Sequence, residues 1–306
     1  MGNSFSQQPL FPEFKPLGLE DREFFRQLLW DYQPETSELT FTNLFIWKDF
    51  YNFAWSLDRH WLLIISDSPN GRSWTFPPIG PSTRVEICEK LLKWLGEIKG
   101  VKVPSIERAD SRLVAELAHA PGFLIEPARD HFDYVYRSED LIQLAGNRYQ
   151  AQRNHIHHLQ HSSAFSYEPL QESHLSACLY LAEKWCAQKK CAEDLSLQGE
   201  WGAVKAGLRH FHDLDLQGAV ILINGNVEAF TLGELLNKET AVVHIEKANP
   251  MISGLYAVIN QEFCRHSWSQ VPFINREQDL GVPGLRTAKM SYHPHHLVEK
   301  FRIRLN

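Results

Sequence analysis

The sequence predicts an α+β fold built from two similar halves, each a mixed, mostly antiparallel sheet flanked by helices. Two observations predict this fold. The same order of apolar patterns, with a helix, paired strands, a second helix and a further strand, occurs twice along the 306 residues. In the second half, the dipeptide Asn224-Gly225 separates two apolar runs, which is typical of a two-residue hairpin between antiparallel strands.

The first half, taken as residues 1–145, opens on an amphipathic pattern in which Phe24, Leu28 and Leu29 fall at helical spacing. The aromatic segment 41–47 is interpreted as core, with the lining of a ligand groove as the alternative. The predicted elements are a helix at 19–32, strands at 51–56 and 61–66, a helix at 85–98 and a strand at 105–110.

The second half, residues 163–306, repeats this plan and carries the predicted site. A connecting helical segment, residues 146–162, joins the halves. In the first helix of this half, Leu175, Leu179 and Trp185 form the apolar side. The predicted elements are a helix at 173–188, a meander of strands at 219–223, 227–231 and 240–246, a helix at 254–267 and a strand at 273–279.

Composition narrows the class of protein. Hydrophobic residues make up 43% of the chain, which excludes an intrinsically disordered protein. The net charge of -6 argues against a protein that binds nucleic acid over its whole surface. Five cysteines without CxxC spacing predict neither a disulfide framework nor a cysteine zinc site, and they favour a reducing, cytoplasmic compartment. No apolar run approaches the roughly 18 residues of a membrane span. Residues 1–6 fit the loose N-myristoylation pattern, which also arises by chance.

Candidate chemistry lies at the ends of two predicted strands. Alternation along 240–249 places His244 and Glu246 on one face. Glu246 is a candidate general base or ammonium ligand, and the alternative is an ion pair at the sheet end. Alternation along 273–279 places Asn275, Glu277 and Asp279 together, with Arg276 opposite. Asp279 would receive an amino group or cap the helix that follows.

A basic group follows on the next predicted helix. Arg286, Lys289 and Tyr292 are three residues apart, so they fall on one side, where two cations and a phenol would bind phosphate and stabilise an oxyanion. The alternative is a solvated helix face. Lys300, Arg302 and Arg304 alternate on the terminal strand and would extend this basic surface.

The connecting segment carries Arg148, Arg153 and four histidines. The histidine spacing permits a metal pair, but no nearby cysteine or carboxylate completes a site, so we predict no metal. The alternatives are a phosphate-contacting helix and a solvated face. The histidines are His155, His157, His158 and His161.

Several motifs together give a family resemblance over nearly the whole chain. They are Leu39-Thr40-Phe41-Thr42-Asn43-Leu44-Phe45-Ile46-Trp47, Asp133-Tyr134-Val135-Tyr136, Gly146-Asn147-Arg148, Arg153-Asn154, His244-Ile245-Glu246-Lys247-Ala248-Asn249, Asn275-Arg276-Glu277-Gln278-Asp279-Leu280-Gly281 and Gly284-Leu285-Arg286-Thr287-Ala288-Lys289. As a set they resemble the soluble family related to the C-terminal catalytic domain of phosphatidylglycerol lysyltransferase.

The resemblance implies two tandem GNAT-like domains, a plan similar to the Fem peptidoglycan aminoacyltransferases. It implies aminoacyl transfer, in the lipid-modifying relatives from aminoacyl-tRNA to a lipid hydroxyl. Those relatives carry a membrane domain in front of this one. Acetyl-CoA-dependent GNAT proteins cradle pyrophosphate in a glycine-rich loop, whereas segment 249–254 here has one glycine and a proline, so acyl-CoA is the less favoured donor.

The sequence therefore predicts an aminoacyl or acyl transferase without a metal or redox cofactor. The donor would be aminoacyl-tRNA, and the acceptor an amine or hydroxyl on a small molecule, peptide or lipid headgroup. An acyl-CoA-dependent N-acyltransferase and a non-catalytic ligand-binding module are the alternatives. Three groups of residues carry the hypothesis: catalytic Glu246, Asp279 and Tyr292; substrate-binding His244, Asn275, Arg276, Arg286, Lys289 and Lys300; and phosphate-contacting Arg148 and Arg153.

Overall fold

A computed structural model describes residues 8–67 and 73–306, so the N-myristoylation pattern lies outside the described residues. The first half contains, in chain order, β1 (Lys15–Pro16), α1 (Arg22–Tyr32), α2 (Phe41–Tyr51), β2 (Ala54–Asp58), β3 (Trp61–Asp67), β4 (Ser73–Thr75), α3 (Val85–Glu97), β5 (Ile106–Ala109), α4 (Ser111–Leu117), β6 (Phe123–Pro127) and β7 (Asp133–Arg137). Two helices, α5 (Ser138–Gln143) and α6 (Gln150–Ser162), lead into the second half.

The second half repeats this plan with longer strands. It contains β8 (Phe165–Pro169), α7 (Glu172–Lys189), α8 (Leu195–Arg209), β9 (Gln217–Ile223), β10 (Asn226–Leu235), β11 (Thr240–Ala248), α9 (Leu255–Ser267), β12 (Phe273–Asn275), α10 (Pro283–Met290), β13 (His296–Val298) and β14 (Phe301–Leu305). Within the described part of the chain, no helix is both long and apolar enough to cross a membrane.

The two sheets have the same topology and exchange one strand. Their orders are β1-β2-β3-β4-β5-β14-β6 and β8-β9-β10-β11-β12-β7-β13. In each sheet one neighbouring pair is parallel, β4 with β5 and β11 with β12. Strand β7 lies in the second sheet, and β14 occupies the matching place in the first. If the chain is divided near residue 145, β7 belongs to the first half but pairs in the second sheet, and β14 belongs to the second half but pairs in the first sheet.

Local sequence explains the hairpin and the entry into α2. Asn224 and Gly225 have φ angles of 52° and 77°, the left-handed pair that a tight hairpin needs between β9 and β10. The side chain of Thr40 accepts a 3.0 Å hydrogen bond from the amide of Asn43, which caps the first turn of α2. The predicted hairpin and the β9-β10-β11 meander are confirmed.

One apolar core spans both halves. Helix α2 packs on α8, and Leu44 and Phe45 of the first half lie in the same cluster as Phe230 and Ile245 of the second. Each fully buried side chain of this kind contributes about 1.5–3 kcal/mol relative to an exposed one. The halves are therefore held together by shared hydrophobic packing as well as by the strand exchange.

The structure corrects three expectations. The predicted strand at 51–56 begins at Ala54, because Tyr51 belongs to α2. The predicted strand at 273–279 ends at Asn275, and Glu277 adopts a positive φ of 56°. Cys186 and Cys191 form a disulfide between the end of α7 and the turn before α8, although the cysteine spacing had argued for reduced cysteines. The other three cysteines are free and buried.

Candidate active site

The site begins where the two parallel strands β11 and β12 separate. They pair only from Thr240 to Val242 and from Phe273 to Asn275, although β11 continues to Ala248. Open sheets bind ligands beyond the carboxyl ends of such strands. Four side chains meet here, and we call this group the β11–β12 opening: Glu246, Arg276, Lys289 and Tyr292.

An ion pair bridges the opening. A guanidinium nitrogen of Arg276 lies 3.0 Å from a carboxylate oxygen of Glu246, and the two side chains are only 14% and 13% exposed. The Arg276 guanidinium also lies 5.0 Å from the ring centre of Tyr292 and 5.8 Å from that of Tyr136. Burial lowers the pKa of Arg276, but Glu246 opposes this effect and the pKa is raised overall. Arg276 therefore remains a fixed cation.

Lys289 and Tyr292 supply groups that exchange or donate protons. The Lys289 ammonium donates to the carbonyl oxygen of Arg276. Burial, and then the charge of Arg276, lower the pKa of Lys289 to about 8. Burial raises the pKa of Tyr292 to about 12. Near neutral pH, Lys289 thus has an accessible neutral form, and Tyr292 keeps its hydroxyl proton as a donor.

His244 lies beside this opening at a β-bulge. The register between β10 and β11 shifts at His244, so its ring turns between two carboxylates. Its Nε2 lies 2.9 Å from Glu234 and its Nδ1 lies 2.8 Å from Glu277. Burial lowers the pKa of His244, but these two hydrogen bonds raise it to about 9, so the ring is an imidazolium near neutral pH.

The expectation that His244 and Glu246 share one face is wrong. The bulge breaks the alternation, so that His244 lies near Asn43 of α2 while Glu246 receives a 3.4 Å hydrogen bond from Asn260 of α9. The predicted common face of Asn275, Glu277 and Asp279 is also wrong. Strand β12 ends at Asn275, and the three side chains contact different partners.

Asp279 is fully buried and its oxygens are already engaged. Both of its oxygens bind Arg286, at 2.8 and 2.9 Å, and the amide of Gly281 donates to it at 2.8 Å. Arg129 and the hydroxyl of Tyr134 also bind it. Although burial raises its pKa, these donors hold the pKa of Asp279 well below its ordinary value. In this arrangement Asp279 fixes the loop before α10 as a permanent anion.

Lys300 lies in a separate group at the point where the halves exchange strands, the strand-exchange cluster of Glu38, Asp133, Asn275 and Lys300. Lys300 is fully buried and its ammonium lies 2.6 Å from both Asp133 and Glu38. The amide of Asn275 donates to Asp133 at 3.1 Å. The predicted basic surface is therefore wrong at Lys300.

The other two bases of the terminal strand are also paired. Arg302 binds Glu107 at 2.6 Å, and Arg304 binds Glu126. These ion pairs form because β14 inserts between β5 and β6 of the first sheet. The terminal strand therefore adds no run of unpaired cations to the surface.

The connecting segment adjoins the opening through the backbone that follows α10: the hydroxyl of Tyr149 donates to the carbonyl oxygen of Tyr292 at 3.2 Å, and the side-chain amide of Gln152 donates to that of Ser291 at 2.8 Å. Arg148 is half-exposed and binds Asp140 at 3.1 Å, whereas Arg153 donates to the carbonyl oxygens of Leu144 and Gly146. Among residues 8–67 and 73–306, no group of three or more histidine, cysteine, aspartate or glutamate side chains is arranged to hold a metal ion.

The loop between β11 and α9 is occupied by its own contacts. The amides of Met251 and Ile252 donate to Asn249, and the amide of Asn249 donates to Glu228. Helix α6 covers the start of α9 so closely that a Cβ on Gly254 would lie 2.3 Å from the carbonyl oxygen of His155. Because these amides already have acceptors, the loop offers a poor cradle for pyrophosphate.

Two of the residues around the site were missing from the sequence prediction. Glu234 lies in β10, outside both strand ends, and Tyr136 lies in the exchanged strand β7, where its hydroxyl donates to the carbonyl oxygen of Lys289. Glu234 could have been found from the sequence as a charged residue near the end of the apolar strand β10, which pairs with the apolar strand β11.

Comparison with known proteins gives one family match and one similar solved structure that cover most of the chain. A family model described as phosphatidylglycerol lysyltransferase, C-terminal, matches residues 31–304. The chain is 31% identical to a conserved protein of unknown function from Bacteroides thetaiotaomicron, covering 96% of this chain and 99% of that one, with a TM-score of 0.88. Among functionally curated proteins, sequence comparison finds no significant relative.

Two more distant structures share the fold. L-PGS from Bacillus licheniformis has a TM-score of 0.64 at 12% identity, with 93% of this chain and 92% of that chain covered. FemX has a TM-score of 0.56 at 10% identity, with 96% and 97% covered. With the repeated topology, these similarities confirm the predicted tandem GNAT-like fold.

Proposed function

The chain belongs to the family of phosphatidylglycerol lysyltransferase C-terminal domains, and from that premise we propose that it transfers an aminoacyl group from aminoacyl-tRNA to an amine or hydroxyl acceptor. The observation that carries the proposal is the convergence of Glu246, Arg276, Lys289 and Tyr292 where β11 and β12 separate. Here an acid, two basic side chains and a phenol are partly buried together at the ends of parallel strands.

Each group has a role in aminoacyl transfer. The acceptor loses a proton as it attacks the ester carbonyl, the carbonyl oxygen becomes an oxyanion, and the bond to the ribose oxygen then breaks. Neutral Lys289 accepts the proton and returns it to the ribose oxygen as the ester bond breaks, and its lowered pKa near 8 suits both transfers. Arg276 and the hydroxyl of Tyr292 stabilise the oxyanion. Glu246 holds Arg276 in position across the opening.

The neighbouring residues position this group. Asp279 binds Arg286 and Tyr134, and the ammonium of Lys289 lies 5.8 Å from the ring centre of Tyr134. His244 binds Glu277, which follows Arg276 in the chain. In this proposal Asp279 and His244 act on the geometry of the loop rather than on the reacting atoms. Arg148 is the exposed cation proposed to contact a donor phosphate.

The test is loss of the aminoacyl ester. Labelled aminoacyl-tRNAs are incubated with the protein and a panel of amine and hydroxyl acceptors, and the release of free tRNA is compared with hydrolysis in buffer. We expect acceptor-dependent release, reduced by at least about 10²-fold in Lys289→Met, because a positioned base contributes about 10²–10⁴-fold. Lys184→Met is the matched control, since Lys184 is exposed and lies over Tyr180.

Three outcomes would contradict the proposal. Equal release by the wild type and Lys289→Met would remove Lys289 from the reaction. Absence of release would favour the acyl-CoA alternative if calorimetry also detects acetyl-CoA binding and a substitution at Gly254 abolishes that binding. Tight ligand binding without turnover, insensitive to Glu246→Gln, would favour a binding module.

A further inference from the structure

A groove of about 690 Å³ lies between the two halves, on the side of the second sheet away from the carboxyl ends of β11 and β12. We call it the α1–β10 groove. One wall is formed by α1 and the start of α2, and the other by the end of β10, the start of β9 and the end of α9. The groove therefore exists only because the halves pack against each other.

Three carboxylates line the groove, those of Glu23, Asp215 and Glu234, and they differ in how they are paired. Glu23 binds Arg22 at 2.8 Å, and Asp215 lies 3.5 Å from Arg26, so both are neutralised by neighbouring guanidinium groups. Glu234 differs. Its Oε1 binds His244, and its Oε2 accepts no hydrogen bond from any residue in the described ranges 8–67 and 73–306. Glu234 remains partly exposed in the groove while His244 is buried behind it.

Half of the residues that line the groove are apolar, and the other half are polar or charged. Trp30, Phe41 and Trp268 line it together with several leucines. Trp30 and Leu235 are 39% and 43% exposed, so these two side chains present apolar surface to the groove. Aromatic faces attract organic cations, and apolar walls bind the hydrocarbon part of such a ligand. A carboxylate oxygen of Glu234 that is open to the groove, together with the exposed ring of Trp30, thus fits an ammonium ion on an apolar body.

A chain of contacts joins the groove to the β11–β12 opening. Glu234 binds one nitrogen of His244, the other nitrogen binds Glu277, and Glu277 directly follows Arg276. Asn43 of α2 also donates to Glu277 at 3.0 Å. The charged groups that contact His244 are Glu234 and Glu277. A cation arriving at Glu234 would repel the imidazolium beside it and compete for the same carboxylate.

We propose that the α1–β10 groove is a second ligand site, which binds an organic ammonium ion through Glu234 and transmits its occupancy to the β11–β12 opening through His244 and Glu277. The proposal concerns binding and needs no turnover, so its outcome stands whether or not aminoacyl transfer is found.

The binding test uses 2-phenylethylamine and its neutral counterpart 2-phenylethanol, with calorimetry on the full chain. We expect the amine to bind about tenfold or more tightly than the alcohol, because only the amine makes a charge-assisted hydrogen bond. Glu234→Gln should lose this preference. Glu183→Gln, which changes an exposed carboxylate on α7 outside the groove, should keep it.

A second variant guards against a folding defect in Glu234→Gln. Trp30→Ala removes an exposed wall of the groove without touching Glu234, and it should weaken the amine by about threefold. Equal affinity for amine and alcohol, an unchanged preference in Glu234→Gln, or no binding at all would overturn the site.

The coupling is tested separately by following the His244 ring by NMR. In the free protein its pKa is raised to about 9, and bound amine should lower that midpoint by repulsion. An unchanged His244 midpoint at saturating amine would overturn transmission through His244.

Discussion

Two groups of buried charges lie at neighbouring strand ends of this protein and differ in how completely they are paired. In the strand-exchange cluster, Lys300 is fully buried between Asp133 and Glu38. In the β11–β12 opening, Lys289 keeps some exposure, donates to a backbone carbonyl and has a lowered pKa near 8. The first lysine has two carboxylates within 2.6 Å, and the second has a cation, Arg276, as a close neighbour.

The difference shows that burial of charge alone does not mark a functional site. A buried cation that contacts two carboxylates specifies how the halves join. A lysine whose charge is disfavoured can change its ionisation near neutral pH. The same residue type therefore fixes architecture in one place and is available for chemistry in the other.

The largest expected effect comes from breaking the strand-exchange cluster. Lys300→Met would leave the carboxylates of Asp133 and Glu38 buried without their cation, so we expect the free energy of unfolding to fall by about 3–5 kcal/mol. Urea denaturation measures it. Lys102→Met, at an exposed position, should stay within about 0.5 kcal/mol of the wild type. A loss under about 1 kcal/mol at Lys300 would mean that the cluster is not what joins the halves.

The next largest effect is expected in the β11–β12 opening, where the lowered pKa of Lys289 can be measured directly. Acylation of Lys289 by acetic anhydride, followed by mass spectrometry, should show a midpoint near pH 8, below the ordinary lysine pKa of about 10.4. Glu246→Gln should move the midpoint lower still, because Glu246 favours the charged form of Lys289. A midpoint for Lys289 at the ordinary lysine value would remove the contrast between the two clusters.

The contrast explains which parts of the fold follow from the sequence. Helices α3 and α9 and the β9–β10 hairpin were predicted because their apolar spacing and the Asn-Gly turn are local signals. Helix α2 was not assigned. Its first six residues are all buried, since they are packed between the halves, and so the helix lacks the one-sided apolar stripe that identifies a surface helix.

The site was only partly accessible from sequence for a related reason. Glu246, Arg276, Lys289 and Tyr292 were chosen from strand ends and helical spacing, and the structure brings them together. The burial of Lys300 depends on Asp133, 167 residues earlier, through a strand exchange that no local pattern specifies. The turned ring of His244 depends on a bulge, which a period of two residues cannot reveal.

Asp279 is fully buried, as Lys300 is, but its arginine partners are partly exposed. Asp279→Asn should lower the free energy of unfolding by about 1–2 kcal/mol near neutral pH, because Arg286 and Arg129 are partly exposed and screened by solvent. The pKa of Asp279 is held low, so its contribution is present above the unfolded pKa of about 3.9 and is lost as pH falls further.

The measurement is urea denaturation of Asp279→Asn at pH 7 and at successively lower pH. The difference from wild type should shrink below about pH 4. Asp130→Asn is the control, because Asp130 binds the same Arg286 at 2.8 Å but is 62% exposed, and it should cost under about 0.5 kcal/mol. A stability difference that does not change with pH would show that the charge of Asp279 is not its contribution.

The smallest expected effect separates two arginines of the connecting segment, where pairing again decides availability. Arg153 is engaged by two backbone carbonyls, whereas Arg148 is half-exposed with one carboxylate partner. If Arg148 contacts a phosphate of the donor, Arg148→Ala should lower the slope of log affinity against log salt by about 0.7–0.9. Filter binding of aminoacyl-tRNA across a salt series measures it. Arg265→Ala, at a similarly exposed arginine paired with Glu262, should leave the slope unchanged, and equal slopes for both variants would exclude a specific contact by Arg148.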